Sequence, residues 1–130
     1  MHKNANLKVY RMLINLSNHP YAQWNCRQKE AAAVYGKPID LPFPSVSPEA
    51  DESEIQQLAD RYVGKVLDMG EASTLTVHIM GEQTLCFAII RRLELLEIPC
   101  IASCSFRDVE MQPDGSKLVN FHFTRFRKYI

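Results

Sequence analysis

Polar side chains cluster in three short segments, each of which directly follows an apolar stretch rich in β-favouring residues. The segments read S-N-H-P, G-E-Q-T and S-C-S-F-R, and they supply hydroxyls, amides, an imidazole and a guanidinium. Such groups donate hydrogen bonds and therefore suit a small polar or anionic ligand. The candidate ligand-binding residues are Asn15, Ser17, Asn18, Gly81, Glu82, Thr84, Ser103 and Ser105, and His19 and Arg107 stand among them.

The first segment leads from a predicted strand into a predicted helix. Free backbone N–H groups at a helix N-terminus attract anions, which favours a phosphate beside Ser17, Asn18 and His19. In the alternative, Ser17 or Asn18 caps the helix and His19 is simply exposed. Trp24, one turn later, either stacks on a base or lies in the core or at a dimer interface.

The second segment contains a glycine turn before a helix. Gly81 would let a ligand approach the backbone closely, and Thr84 would cap the helix or donate to a ligand. The alternative is a plain turn in which Glu82 favours the helix N-terminus. His78 alternates with apolar neighbours, which is typical of a satisfied core histidine.

The third segment ends at Arg107, from which a guanidinium could reach back over the sheet edge. Its forked N–H groups match a phosphate, so Arg107 would complete an anion site formed by the other two segments. The alternative is a solvated arginine on an edge strand.

Composition limits the classes of partner. The 130 residues are 46% hydrophobic and 23% charged, which predicts one globular domain over residues 1–130. Fifteen basic residues balance fifteen acidic ones. Proteins that bind duplex nucleic acid normally carry a basic excess, so we expect no duplex nucleic acid as a partner. The apolar stretches are too short for a bilayer, so we expect no membrane partner.

Cysteine usage and motifs bear on compartment and cofactors. The four cysteines form no C-x-x-C pair, three lie in strongly apolar stretches, and the sequence shows no signal peptide, so we expect reduced, buried thiols in the cytoplasm. Neither a G-x-G-x-x-G fingerprint nor a G-K-[ST] loop is present. We therefore expect no nucleotide cofactor. Zinc would need Cys100 and Cys104 with a histidine, but an i, i+4 pair on a strand lacks the tight turn of such sites, so we expect no metal.

Hydrophobic periodicity predicts alternating strands and helices. The predicted strands are Leu7–Leu16, Pro38–Leu41, Leu75–Met80, Pro99–Ser105 (continued or bent through Phe106–Met111) and Lys117–Arg127; the predicted helices are Gln23–Tyr35, Glu49–Met69 and Gln83–Glu97. This order predicts an α/β fold with a doubly wound, mostly parallel, Rossmann-like sheet and an antiparallel C-terminal edge hairpin. Ligands of such sheets bind beyond the carboxyl ends of the strands, where the three polar segments fall.

Four stretches together resemble a known group of proteins: N-L-S-N-H-P followed by a tryptophan, D-L-P-F-P, V-H-I-M-G-E-Q-T-L and C-I-A-S-C-S-F-R. They resemble small CRISPR-associated proteins of type III systems, a group of Rossmann-like sensors and ring nucleases for cyclic oligoadenylate. The resemblance covers nearly the whole chain.

The resemblance implies a homodimer that binds a cyclic oligoadenylate across its twofold axis. The third predicted helix is apolar around much of its circumference, which also predicts a dimer. The resemblance also implies metal-independent ring cleavage, in which a ribose 2′-hydroxyl attacks the adjacent phosphate. Here Ser17, Asn18 and His19 would contact the phosphate, His19 would move protons, and Arg107 would stabilise developing charge. Two alternatives remain: a sensor that binds a nucleotide without cleaving it, and a subunit that regulates a partner through Trp24 and the apolar third helix.

Overall fold

The computed structural model describes residues 10–130, which form five β-strands, three α-helices and two short 3-10 turns. The strands are β1 (Met12–Leu16), β2 (Lys37–Asp40), β3 (Leu75–Ile79), β4 (Cys100–Met111) and β5 (Lys117–Lys128). The helices are α1 (Cys26–Ala33), α2 (Glu52–Leu67) and α3 (Gln83–Leu95). Residues 7–9 of the first predicted strand lie outside the described residues.

The strands form one mixed sheet in the order β2-β1-β3-β4-β5. β1 is parallel to β2 and β3, β3 is parallel to β4, and β5 is antiparallel to β4. The predicted α/β class, with a mostly parallel sheet and an antiparallel C-terminal edge, is confirmed. The strand order reverses between β1 and β3, and in open sheets ligands bind beside such a reversal at the carboxyl ends of the strands.

Helices pack against both faces of this sheet, because successive side chains of a strand point to opposite faces. On one face, Ile14 and Val77 pack in an apolar cluster with residues of α2 and α3. On the other face, Leu13 and Ile101 pack with Ala32 of α1 and with aromatic side chains of β5. The central strands are therefore buried on both sides, as their apolar runs predicted.

Side-chain caps decide where the helices begin. α1 begins at Cys26 and not at Gln23, because the Asn25 side chain accepts a hydrogen bond of 2.8 Å from the backbone N–H of Gln28. α2 likewise begins after Asp51, whose carboxylate accepts from a backbone N–H 2.9 Å away. Both predicted starts were too early, since charge and periodicity do not show which polar side chain folds back as the cap.

Gly36 turns the chain from α1 into β2. Its φ of +131° disfavours L side chains, and a Cβ atom there would lie 2.4 Å from the carbonyl carbon of Arg11. The next residue, Lys37, donates its N–H to the Arg11 carbonyl at 2.9 Å. The close contact with the start of β1 thus requires glycine.

The β4–β5 hairpin extends past the carboxyl edge of β3. β4 pairs with β3 at Cys100 and Ile101 and then continues to Met111 against β5. The predicted strand Pro99–Ser105 and its continuation are thus one long strand, with a register shift between Cys104 and Ser105. The exposed large apolar residues of the hairpin are Phe106, Val109, Met111, Leu118, Val119 and Phe121.

Candidate functional site

A pocket of about 820 Å³ lies beyond the carboxyl ends of β1 and β3, at the base of the β4–β5 hairpin. Its walls come from the loop after β1, the start of α1, the end of β3 and both strands of the hairpin. All three predicted polar segments contribute to it. The predicted site residues in the wall are Ser17, Asn18, His19, Gly81, Ser103 and Ser105.

Glu82 caps α3 and is supported by Thr84, and neither residue stands in this wall. The Glu82 carboxylate accepts hydrogen bonds from the Thr84 hydroxyl at 2.6 Å and from the backbone N–H of Leu85 at 2.8 Å. These bonds, led by the one from Thr84, lower the pKa of Glu82. Thr84 borders a separate groove between α2 and α3. Glu82 therefore favours the helix N-terminus, which the sequence left open as an alternative, and Thr84 orients its carboxylate.

Gly81 is in close contact with a protein side chain. A Cβ atom on Gly81 would lie 2.5 Å from the ring of Phe43, which belongs to the loop after β2 and is buried. The space beside Gly81, through which a ligand was expected to approach the backbone, is thus occupied by the Phe43 ring on one side. Gly81 still borders the pocket, so a substitution there would disturb both packing and site.

Arg107 lies on the hairpin, at the same end of the sheet as His19. Its cross-strand partner is Phe121, which lines the pocket. Side chains opposite each other in an antiparallel pair share a face, so Arg107 lies on the same face of the hairpin as Phe121. Arg107 is itself exposed and is not one of the residues that line the pocket. The chain thus brings the two predicted catalytic residues to one edge.

The loop that carries His19 is held by its backbone. The carbonyl oxygen of His19 accepts from Asn15 Nδ2 and from Trp24 Nε1, both at 2.9 Å. The N–H of His19 donates to the Ser17 hydroxyl at 3.2 Å. Trp24 is 3% exposed and packs in the core, so it supports this loop and offers no open face for a base.

Asn15 is buried behind the pocket wall. Its Nδ2 also donates to a carboxylate oxygen of Asp40 at 2.9 Å, and its Oδ1 accepts from the Ser17 hydroxyl at 2.7 Å. Neither Ser17 nor Asn18 caps α1, because Asn25 does. Within residues 10–130, every buried polar side-chain atom has a hydrogen-bond partner. Asn15 therefore acts as a structural hub, and ligands would meet Ser17 in front of it.

His78 is buried, as predicted, and it also lines the pocket, where it contacts Ser103. Nδ1 lies 2.9 Å from Asn15 Oδ1, and Nε2 lies 2.7 Å from the Ser103 hydroxyl. Burial, assisted by repulsion from the charge of His19, lowers the pKa of His78 from 6.5 to about 4. The ring is therefore neutral at pH 7. The link to Ser103 was missed, although strand alternation already placed Asn15, His78 and Ser103 at strand ends.

The four cysteines are free thiols. Burial raises the pKa of Cys86 to about 11 and that of Cys100 to about 12, whereas Cys26 is exposed, contrary to the expectation of buried thiols. In the described part of the chain, no group of three or more His, Cys, Asp and Glu side chains could hold a metal ion. No helix among these residues has the length and apolar character needed to cross a membrane.

A protein-family model matches most of this chain. The sequence model of the uncharacterized protein MJ1673 family matches residues 11–127. The chain belongs to this family. The region matched to the MJ1673 family reaches from the residue before β1 to the last residue but one of β5, so every pocket residue lies inside it. No curated protein and no solved structure matches the chain.

Proposed function

We propose that the pocket binds a cyclic oligoadenylate and that the protein cleaves this ring by attack of a ribose 2′-hydroxyl on the adjacent phosphate, without a metal ion. The protein would have a doubly wound, Rossmann-like fold. It would act in the cytoplasm, in type III CRISPR antiviral signalling. The observation that carries the proposal is the convergence of the three polar segments and the hairpin on one pocket. The choice of cyclic oligoadenylate as the ligand comes from the sequence resemblance to cyclic oligoadenylate sensors and ring nucleases.

The pocket suits a nucleotide in both its aromatic and its polar parts. Phe121, which is 69% exposed, lines the pocket, and aromatic rings bind bases by stacking. The side chains of Asn18 and Gln23 also line it, and their amides could bond to base edges or phosphates. Among residues 10–130, no aspartate or glutamate lines the pocket, so a phosphodiester meets no direct repulsion there.

The volume of the pocket is consistent with part of a ring in each protomer. About 820 Å³ lies within the range of roughly 300–1,000 Å³ typical of small-molecule sites, and a ring of four nucleotides is larger. A homodimer whose two pockets face each other would hold the whole ring, because a symmetric ligand matches a twofold axis.

The proposed cleavage requires mainly positioning and charge stabilisation. The 2′-oxygen forms a bond to phosphorus while the bond from phosphorus to the 5′-oxygen breaks, which leaves a 2′,3′-cyclic phosphate and a 5′-hydroxyl. His19, exposed in the pocket wall, would take the proton of the 2′-hydroxyl or return one to the 5′-oxygen. Arg107, on the same face of the hairpin as Phe121, would stabilise charge on the phosphate.

Labelled cyclic tetra-adenylate, incubated with the purified protein in EDTA, tests this function. We expect a linear product that ends in a 2′,3′-cyclic phosphate, and no product from the 2′-deoxy analogue, which lacks the attacking group. Replacement of His19 by Ala should lower turnover by about a hundredfold or more. His122→Ala is the matched control, because His122 lies on the hairpin and pairs with Asp108 at 3.1 Å.

The same assay separates the alternatives. A stable complex without any linear product would favour a non-catalytic nucleotide sensor. Absence of binding would favour a subunit that regulates a protein partner. Cleavage of the 2′-deoxy analogue would contradict attack by the ribose hydroxyl.

A further inference from the structure

A row of polar side chains crosses four strands beneath the pocket, on the sheet face that α1 covers. Asn15 of β1 is in register with Asp40 of β2 and with His78 of β3. Ser103 of β4 follows two residues after Ile101, the β4 partner of His78. Hydrogen bonds of 2.9, 2.9 and 2.7 Å join Asp40 to Asn15, Asn15 to His78, and His78 to Ser103.

Asn15 fixes the direction of these hydrogen bonds. Its Nδ2 contacts two atoms that can only accept, the carbonyl oxygen of His19 and a carboxylate oxygen of Asp40. Its Oδ1 is therefore the atom that faces His78, and it can only accept. Nδ1 of the neutral His78 ring must carry the hydrogen, which leaves Nε2 as the acceptor for the hydroxyl of Ser103.

Gln28 of α1 completes the orientation of the Ser103 hydroxyl. Its Nε2 donates to the Ser103 oxygen at 3.1 Å, so the hydrogen of the hydroxyl itself points to His78. Gln28 is 5% exposed, which holds this donor in place.

Exposure differs sharply along the row. His78 is 2% exposed, and burial keeps its ring neutral at pH 7, so the Nε2 lone pair is available. Ser103 is only half-buried and stands in the pocket wall. The network therefore meets a bound molecule at the Ser103 oxygen.

A buried histidine with two partners also stabilises a fold, and that role needs no hydroxyl in a pocket. A hydroxyl in contact with an imidazole, whose other nitrogen is oriented by a third group, is the arrangement that activates nucleophiles. The third group here is the amide of Asn15, with the Asp40 carboxylate one hydrogen bond further away.

We propose that Ser103 is a nucleophile activated by His78, and that the pocket hydrolyses carboxylic esters carried on flat apolar groups. The side chains of Phe121, Phe123 and Met80 line the same pocket and would hold such a group. The proposal rests on the contacts of Ser103 and does not require that the pocket bind a nucleotide.

In the first step, Ser103 Oγ forms a bond to the carbonyl carbon while its proton passes to His78 Nε2. The bond from that carbon to the alcohol oxygen then breaks, and the alcohol leaves with the proton from His78. In the second step, water gives a proton to His78 and its oxygen bonds to the acyl carbon. The bond to Ser103 Oγ breaks, Oγ recovers the proton, and the carboxylic acid leaves. Asn15 is a positioning residue throughout.

A fluorophosphonate probe tests the nucleophile directly, because serine attack on phosphorus expels fluoride and leaves a stable adduct. We expect a single adduct by intact mass, located on Ser103 by peptide mapping of the wild-type protein. Ser103→Ala should form none, whereas Ser53→Ala, which alters an exposed serine of α2, should react like the wild type. The labelling rate of His78→Gln should be lower by about a hundredfold or more, as expected for loss of a placed base.

Hydrolysis of p-nitrophenyl acetate should follow the same order among these variants. An adduct on any other residue, or equal labelling of the wild type and Ser103→Ala, would overturn the proposal. The proposal would also be overturned if the wild-type protein stayed unlabelled while trypsin, added as the positive control for the probe, was fully labelled. Mapping of the adduct on wild-type protein decides the question even if a variant misfolds. Neither assay contains a nucleotide, so failure of the proposed ring cleavage would leave the proposal of a serine nucleophile intact.

Discussion

The neutral state of His78 links a single side chain to the acid stability of the protein. In the unfolded chain its imidazole takes up a proton below pH 6.5, whereas burial in the folded chain lowers the pKa to about 4. The unfolded state thus binds more protons between these values, and stability should fall by about 3 kcal/mol as the pH drops from 6.5 to 4. Urea unfolding at several pH values measures this loss.

The surroundings of His78 identify the controls. The charge of His19 adds to the effect of burial, the Asp40 carboxylate is separated from the ring by Asn15, and the aromatic neighbours carry no charge. His78→Gln should be less stable at pH 7 and should lose the pH dependence of this window. His122→Gln, which changes an exposed histidine, should keep it. An equal pH dependence in His78→Gln would contradict the assignment.

Gly81 should matter for packing as much as for the pocket. Gly81→Ala brings a methyl group to 2.5 Å from the Phe43 ring, so we expect a loss of about 1–3 kcal/mol, as for other overpacked sites. Urea unfolding gives the value. Gly64→Ala in α2 is the matched control, since its Cβ meets nothing within 4 Å, and it should stabilise the protein by roughly 0.5–1 kcal/mol. Equal stabilisation by both changes would refute the close contact.

Part of the site could be predicted from residue types alone. Hydrogen-bonding side chains after apolar stretches indicated the edge of the sheet at which the pocket lies, and six of the predicted residues stand in the pocket wall. The contact between His78 and Ser103 could not be predicted, because it depends on the register of three strands that are distant in sequence. The capping by Glu82 was one of two alternatives that residue types could not separate.

Among the elements, the β4–β5 hairpin has the greatest influence on the site, because it carries Arg107 on the same face as Phe121. If Arg107 contacts a phosphate, Arg107→Ala should weaken binding of cyclic tetra-adenylate by about 1.5–3 kcal/mol, the range for a hydrogen bond to a charged group. Isothermal titration calorimetry measures this change. Arg61→Ala removes an exposed arginine from α2 as a control, and equal affinity of the two variants would exclude the contact.

Periodicity predicted every helix and strand, since each central strand is an apolar run and α2 has a clear apolar face. The ends of the elements were less predictable. Helix starts depend on the caps Asn25 and Asp51, and the length of β4 depends on its pairing with β5 rather than on burial. A strand that is held by one neighbour and exposed elsewhere leaves little hydrophobic pattern.

For the whole molecule, we predict a homodimer, and the structure changes the reason for it. The apolar circumference of α3, from which the sequence predicted a dimer, is largely covered by the sheet and α2. Val109 and Val119 pair across the hairpin and remain exposed together with Met111. Such a patch is a common site of protein association.

Light scattering at micromolar concentration should therefore give twice the mass of the chain. Val109→Asp should shift the population towards monomer, because it places a charge within the apolar patch. Leu95→Asp is the matched control on α3, where Leu95 is 86% exposed, and it should leave the dimer intact. A wild-type monomer, or dissociation by Leu95→Asp alone, would contradict an interface on the hairpin.

The row formed by Asp40, Asn15 and His78 also has a consequence for folding. A strand that slips by one residue turns its side chains to the opposite face. Slippage of β3 would move His78 among the apolar side chains beneath α2 and α3, where its nitrogens would lose Asn15 and Ser103. Each unsatisfied group costs about 1–3 kcal/mol. Misaligned sheets are thus penalised as they assemble, and the polar row selects the alignment in which the pocket forms.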